Sequence, residues 1–280
     1  MIESSQPPFC QTDVSGSAFT HIGLFEGIGG FSLAARWMGW KTLAWCEWNE
    51  FGQKILKHHF PNAEGFGDIT KTDFTKYANE IDILTGGFPC QPYSVAGKRK
   101  GKDDERYLWH QMLRAIQEIK PKYVIAENVY GITNIDGGLV FEQVCLDLEA
   151  EGYEVQPFII PACAKNAPHR RDRVWFVAYN SNRRIKEMYQ RSKHKNKTEF
   201  ITKTKTHFRE RNERSIESQW QNFPTQSPIC GGDDGLPTEL DGITFSKWRT
   251  ESIKAFGNAI VPQVAYEIFK SLEAVDWHFR

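Results

Sequence analysis

The stretch "HIGLFEGIGGFSLAA" (residues 21–35) decides the fold. Its first four residues are an apolar run of strand length, and its end carries the apolar spacing of a helix. Between them Gly27, Gly29 and Gly30 form a strand-to-helix turn, where glycine permits positive φ and lets a ligand approach the backbone beside a helix N-terminus. Twenty residues beyond Gly27 stands Glu47, closing the next apolar run, "TLAWC" (42–46). That interval is one strand–helix–strand unit, and an acid at its end is placed to bind the ribose hydroxyls of an adenosine cofactor. Asp68, in "GDIT" (67–70), follows a predicted third strand, where it could accept from an adenine amino group. Ser32 stands where the dinucleotide fingerprint would put its last glycine, which favours S-adenosylmethionine over a nicotinamide cofactor.

Working outward, short apolar runs continue to alternate with helical patterns. Later strands are predicted at 81–87, 123–128, 154–160 and 174–179, with helices at 31–38, up to His59, 108–119, 139–150 and 261–272. The alternation implies an α/β sheet wound with helices. From Ser181 to about Thr238 the periodicity fades, and no internal repeat is present.

Net charge is zero but unevenly spread: residues 183–214 hold twelve Lys and Arg against four Glu, and the rest of the chain is acidic. A basic stretch on an acidic body suits contact with a polyanion, and equally a solvated loop. The six cysteines are scattered without metal-site spacing, which fits free thiols in a reducing cytoplasm. Residues 1–18 read as a flexible tail without a signal pattern, and no run is long enough for a membrane span.

One cysteine is out of place for packing. Cys90, in "ILTGGFPCQPYS" (83–94), lies just past a buried strand on a Gly-Gly-Phe-Pro turn, where loops carry chemistry. With it in order along the chain come "FEGIGG" (25–30), "CEW" (46–48), "GDIT" (67–70), "AENV" (126–129), "RRDRVWFV" (170–177) and "GNAIVPQV" (257–264). This ordered set resembles the C5-cytosine DNA methyltransferases over about two-thirds of the chain. The resemblance implies a Rossmann-like S-adenosylmethionine-dependent methyltransferase fold with a small basic recognition insert. It divides the chain into a tail (1–18), a catalytic and cofactor-binding domain (19–180), a reduced target-recognition region (181–247) and a returning C-terminal segment (248–280).

The chemistry explains the residue types. Carbon 5 of cytosine is a poor nucleophile until a thiolate adds at carbon 6, which splits one hard step into two easier ones. Cys90 is assigned that attack, and Glu127 is assigned to hold or protonate cytosine N3, for which burial would raise its pKa. Alternation places Arg171 and Arg173 on one strand face, and the resemblance has them grip the Cys90 loop, the cytosine O2 or a phosphate. The resemblance further implies that Phe25, Trp48 and Phe88 frame the adenine, that Ile69 lies beside Asp68 at the cofactor, and that Asn258 helps close its pocket. Gln91, Ser94, Lys98 and Arg106 follow Cys90 in a charged loop suited to DNA, with the target base flipped out. Lys193, Lys195 and Lys197 represent the basic insert.

The pattern departs from the family in two places. His169 replaces the glutamine usual before the arginine pair, and no arginine-led penultimate motif is found. Asp233 and Asp234 read as a solvated turn, and no metal site is expected. The implied partner is double-stranded DNA, with a cognate restriction endonuclease as a genetic companion, in a prokaryotic or phage setting. Methylation of tRNA by the same motifs is the alternative activity. A non-catalytic relative would leave Cys90, Glu127, Arg171 and Arg173 without a reason to be together, and a nicotinamide dehydrogenase would leave Cys90 and Glu127 idle.

Overall fold

The computed structural model describes residues 19–89, 108–165, 167, 169–182 and 248–278. Cys90, Gln91, Ser94, Lys98 and Arg106 lie outside them, as do the basic insert with Lys193, Lys195 and Lys197, the tail, and the Asp233–Asp234 pair.

Seven strands form one sheet: β1 (Thr20–Leu24), β2 (Lys41–Cys46), β3 (Glu64–Phe66), β4 (Ile83–Gly87), β5 (Tyr123–Val129), β6 (Tyr153–Pro161) and β7 (Asp172–Asn180), in the order β3-β2-β1-β4-β5-β7-β6. The first five run parallel, whereas β7 is antiparallel to both β5 and β6. From β1 the chain first moves outward to β2 and β3, then returns to the other side of β1 for β4. That reversal opens a crevice at the carboxyl ends of β1 and β4, where open α/β sheets bind ligands. Because β7 is antiparallel, it is the start of β7 that reaches the same edge.

Helices cover both faces. On one, α3 (Trp109–Ile119) and α4 (Leu139–Ala150) bury Trp109, Met112, Ile116, Val144 and Leu148 against Leu24, Leu84, Val124 and Phe176. On the other, α1 (Gly30–Trp37) and α6 (Pro262–His278) bury Phe31, Ala34, Ala35, Val264 and Phe269 with Trp175 and Tyr123. Trp40, just past α1, stacks on Phe269 with ring centroids 4.7 Å apart, which fastens the C-terminal helix to the body. The helix pattern that began near residue 261 therefore lies against α1, and another helix, α5 (Trp248–Asn258), precedes it.

Sequence signals set the element ends. Asn49 caps α2 (Glu50–His59), its side chain accepting from Phe51 and Gly52 N–H at 2.9 and 3.2 Å. An acid in the first turn of α2 and three basic residues in its last turn match the helix dipole. No described helix is long and apolar enough to cross a membrane.

Candidate active site

Each strand end contributes to the crevice. After β1 the chain turns through Phe25, Gly27 and Gly29 with φ of 53°, 59° and 88°. The glycines take this left-handed backbone freely, whereas Phe25 adopts it against its side chain's preference, a strain that surrounding contacts must hold. After β2 the Glu47 carboxylate, 9 % exposed, accepts the N–H of Gly27 at 2.6 Å and that of Asn49 at 2.7 Å. It thus ties the glycine turn to the start of α2. Burial raises its pKa, opposed by the Asn49 and Gly27 N–H groups. Each oxygen keeps a lone pair for a hydroxyl donor.

Beside Glu47 a cleft of about 540 Å³ is lined by Trp48, Asn49, Gln53, Gly67, Asp68 and, from α5, Glu251. Its volume lies in the range of small-molecule sites. Trp48 is 73 % exposed, offering an open aromatic face, and Gln53 Nε2 donates to the Glu47 carbonyl at 2.8 Å. Asp68 Oδ1 accepts from the Thr70 hydroxyl and N–H at 2.7 and 3.0 Å, and the Thr70 hydroxyl holds the half-buried acid below its ordinary pKa. An acid for hydroxyls, a flat aromatic face and a second acid at the rim suit a nucleoside. Asn49, Gln53 and Glu251 were not among the residues expected here; the helix-cap pattern at Asn49 was the one available signal.

Of the expected cofactor contacts, Trp48 and Asp68 line this cleft, whereas Phe25, Gly27, Glu47, Ile69, Phe88 and Asn258 do not, and Gly29 and Gly30 line a separate apolar cleft. Phe88 is 2 % exposed and packs its ring against Trp109 and Phe176, at 4.9 and 6.4 Å between centroids. Ile69 is likewise buried in the core. Both are apolar side chains for which the core offers more burial than a solvated rim. Asn258, at the end of α5, is exposed and does not line the cleft.

The reactive end lies on β5. Glu127 is 8 % exposed, and its Oε1 accepts from Arg173 Nε at 2.8 Å. Its Oε2 faces Gly87, where an added Cβ would stand 3.4 Å from it. Two residues beyond Gly87 the chain reaches Pro89 and then enters the Cys90 segment. Burial pushes the Glu127 carboxyl up to about 7, outweighing the opposing pull of Arg173 and Arg171. Asn128 donates through Nδ2 to the Phe88 carbonyl at 2.9 Å, and so holds the turn that leads to Cys90.

Arg171 corrects the alternation argument. It precedes β7 with φ 41° instead of sharing a strand face with Arg173. Its Nη2 donates to the carbonyls of Gly257 and Ala259 at 2.9 and 2.6 Å, so it ties the α5–α6 junction to the site while its charge still acts on Glu127. Arg173 reaches Glu127 because the antiparallel register sets Arg173 opposite Val129 and Trp175 opposite Glu127.

Residues 19–229 match the family described as C-5 cytosine-specific DNA methylase. The chain belongs to that family. The family match runs through the basic stretch and stops before "GNAIVPQV". Among curated members, the type II methyltransferase M.Eco47II of Escherichia coli is 35% identical over 175 residues, covering 61% of this chain and 42% of that protein. M.HpaII of Haemophilus parainfluenzae is 37% identical over 168 residues, covering 59% and 47%. The chain therefore spans less than half the length of either relative. Among solved structures, an E. coli prophage-encoded protein described as a DNA modification methyltransferase superposes with a TM-score of 0.51 at 26% identity, covering 59% of this chain and 47% of that one. The Rossmann-like methyltransferase fold expected of the family is the fold observed.

Proposed function

We propose that the chain is a DNA (cytosine-5-)-methyltransferase that moves a methyl group from S-adenosylmethionine to C5 of a flipped-out cytosine through a covalent Cys90 adduct. The observation that carries this is Glu127. It is a buried carboxyl, poised near neutrality and held by Arg173, one strand from the segment that leads to Cys90. Cys90 adds to C6 of the base. Glu127, in its acid form, donates to N3 as negative charge enters the ring. Arg173 fixes the carboxyl, and Asn128 fixes the turn. Glu47 and Trp48 would hold the ribose and adenine of the donor, which supplies an electrophilic methyl group when bound. Expression in a host lacking 5-methylcytosine, followed by sequencing for that base, tests the activity; side-by-side transfer to duplex DNA and tRNA tests the substrate. Methylation of tRNA alone would overturn the DNA assignment.

Glu47→Ala should weaken S-adenosylmethionine binding by about 1.5–3 kcal/mol, the usual cost of losing hydrogen bonds to a charged group. Unchanged affinity in calorimetry would remove Glu47 from the cofactor site.

The basic stretch is assigned to phosphate contact. Duplex binding should then weaken with salt by roughly 0.9 log units per log unit of salt for each phosphate neutralised. Replacing Lys193, Lys195 and Lys197 together by Ala should flatten that slope and weaken all sequences alike, because phosphate contacts position without specifying. A wild-type slope in the triple variant would make the stretch a solvated loop. An altered target would make it a reader of bases.

A further inference from the structure

Two carboxyls stand on either side of the glycine turn, and the reaction as described uses only one. Glu26 lies between Phe25 and Gly27, and its side chain folds back under the turn and over β1. A Cβ on Gly23 would fall 1.7 Å from Glu26 Oε1, so glycine is required there by space alone. Oε1 accepts the Ser32 hydroxyl at 2.9 Å in the first turn of α1, whose N-cap, Gly29, offers no side-chain acceptor. A helix-capping role accounts for Oε1. It leaves Oε2 unexplained, buried without a hydrogen-bond partner on a residue 5 % exposed.

The charges around Glu26 are one-sided. Just past β2, Glu47 acts on it across the turn. From β1, His21 sits between the Thr42 and Thr85 hydroxyls at 3.1 and 2.9 Å; burial pushes its pKa down to about 3, so it brings no positive charge. From α1, Arg36 is turned towards α2, donating to the His59 carbonyl and lying over Phe60. Among the described residues no cation is paired with Glu26 or Glu47. Burial first, opposed by Ser32, and then Glu47 push the Glu26 carboxyl up to about 8. The protein has therefore placed two acids at one turn and no counter-charge, an arrangement that favours a cationic ligand over a neutral one of the same shape.

The donor named above is a sulfonium cation, and its spent form, S-adenosylhomocysteine, is the neutral thioether. We propose that Glu26 sorts the two by charge: when the sulfonium form binds, the Glu26 O–H bond breaks, the proton passes to solvent, and the carboxylate left behind counters the ligand's charge. Once the methyl group has gone, that advantage is lost and the product is released more readily. The inference rests on the cofactor reading of the preceding section.

Calorimetry on the full chain, repeated in buffers of different ionisation enthalpy, counts the protons exchanged with each ligand. Wild-type protein at pH 7 should release between about half and one proton on binding S-adenosylmethionine and none with S-adenosylhomocysteine. Affinity for the former should rise with pH and level off above the free carboxyl's titration, while the latter stays flat. Glu26→Gln keeps an acceptor for Ser32 but cannot ionise. It should abolish the proton release and lower the preference for the sulfonium ligand by about tenfold, with an unchanged melting temperature. Equal proton counts for the two ligands in the wild type would overturn the proposal without any variant. So would a Gln variant that keeps both the preference and the release, which would make Glu26 a helix cap only; in either case the cofactor reading stands. If wild-type protein binds neither ligand, that reading falls and takes this inference with it.

Discussion

With serine in place of Cys90, methyl transfer should fall to the background of the assay while S-adenosylmethionine binding stays within about twofold of wild type. A hydroxyl is a far weaker nucleophile than a thiolate and lacks a low enough pKa to ionise near neutrality. The described cysteines are not activated thiols at the crevice. Burial, with Glu47 beside it, pushes the Cys46 thiol up to about 12, and burial pushes Cys145 up to about 11. Cys163 is exposed, in the helical turn that follows β6. The same assignment makes DNA carrying 5-fluorocytosine a trap. After the thiolate has added at C6 and the methyl group at C5, release of the enzyme requires loss of a C5 proton, and fluorine cannot leave as a cation. A wild-type rate in the serine variant, or no denaturation-resistant complex with fluorinated substrate, would exclude the covalent route.

Glu127→Gln should lower turnover by about 10²–10⁴-fold, the range for a lost general acid, with DNA and donor affinities little changed. An ordinary glutamate at pH 7 is protonated in fewer than about one molecule in a hundred, whereas Glu127, pushed up to about 7, is protonated in about half. Its acid form is lost as pH rises through that value, so wild-type kcat/KM at saturating donor should fall on the alkaline side of neutrality. Glutamine cannot titrate, and its profile should lack that descent. If the variant keeps the descent at the same midpoint, the proton comes from elsewhere.

Which parts of this site could be read from sequence follows from how far each relation reaches along the chain. The glycine turn and Glu47 were legible because one strand–helix–strand unit links them, and the Gly27–Glu47 hydrogen bond joins its two ends. Glu127 was legible as an acid closing an apolar strand. What failed depended on other elements. Phe88, which the resemblance set beside the adenine, is enclosed by Trp109 and Phe176 from distant segments. Arg171 looked like one half of an alternating pair, but β7 begins one residue later. Helix α5 gave little periodic signal because several of its apolar residues, Ile253 and Phe256 among them, remain exposed. Glu26 carried no expectation, since nothing local announces that it will fold back beneath the glycines.

The ladder between β5 and β7 has a meaning beyond stability. It pairs every residue from Tyr123 opposite Tyr179 to Val129 opposite Arg173 without a break. A slip of one residue would turn each side chain to the other face, so the reactive spacing has only discrete settings and no gradual drift between them. The sheet works as a ruler with fixed graduations. The spacing between acid and arginine can therefore change only by whole steps of register.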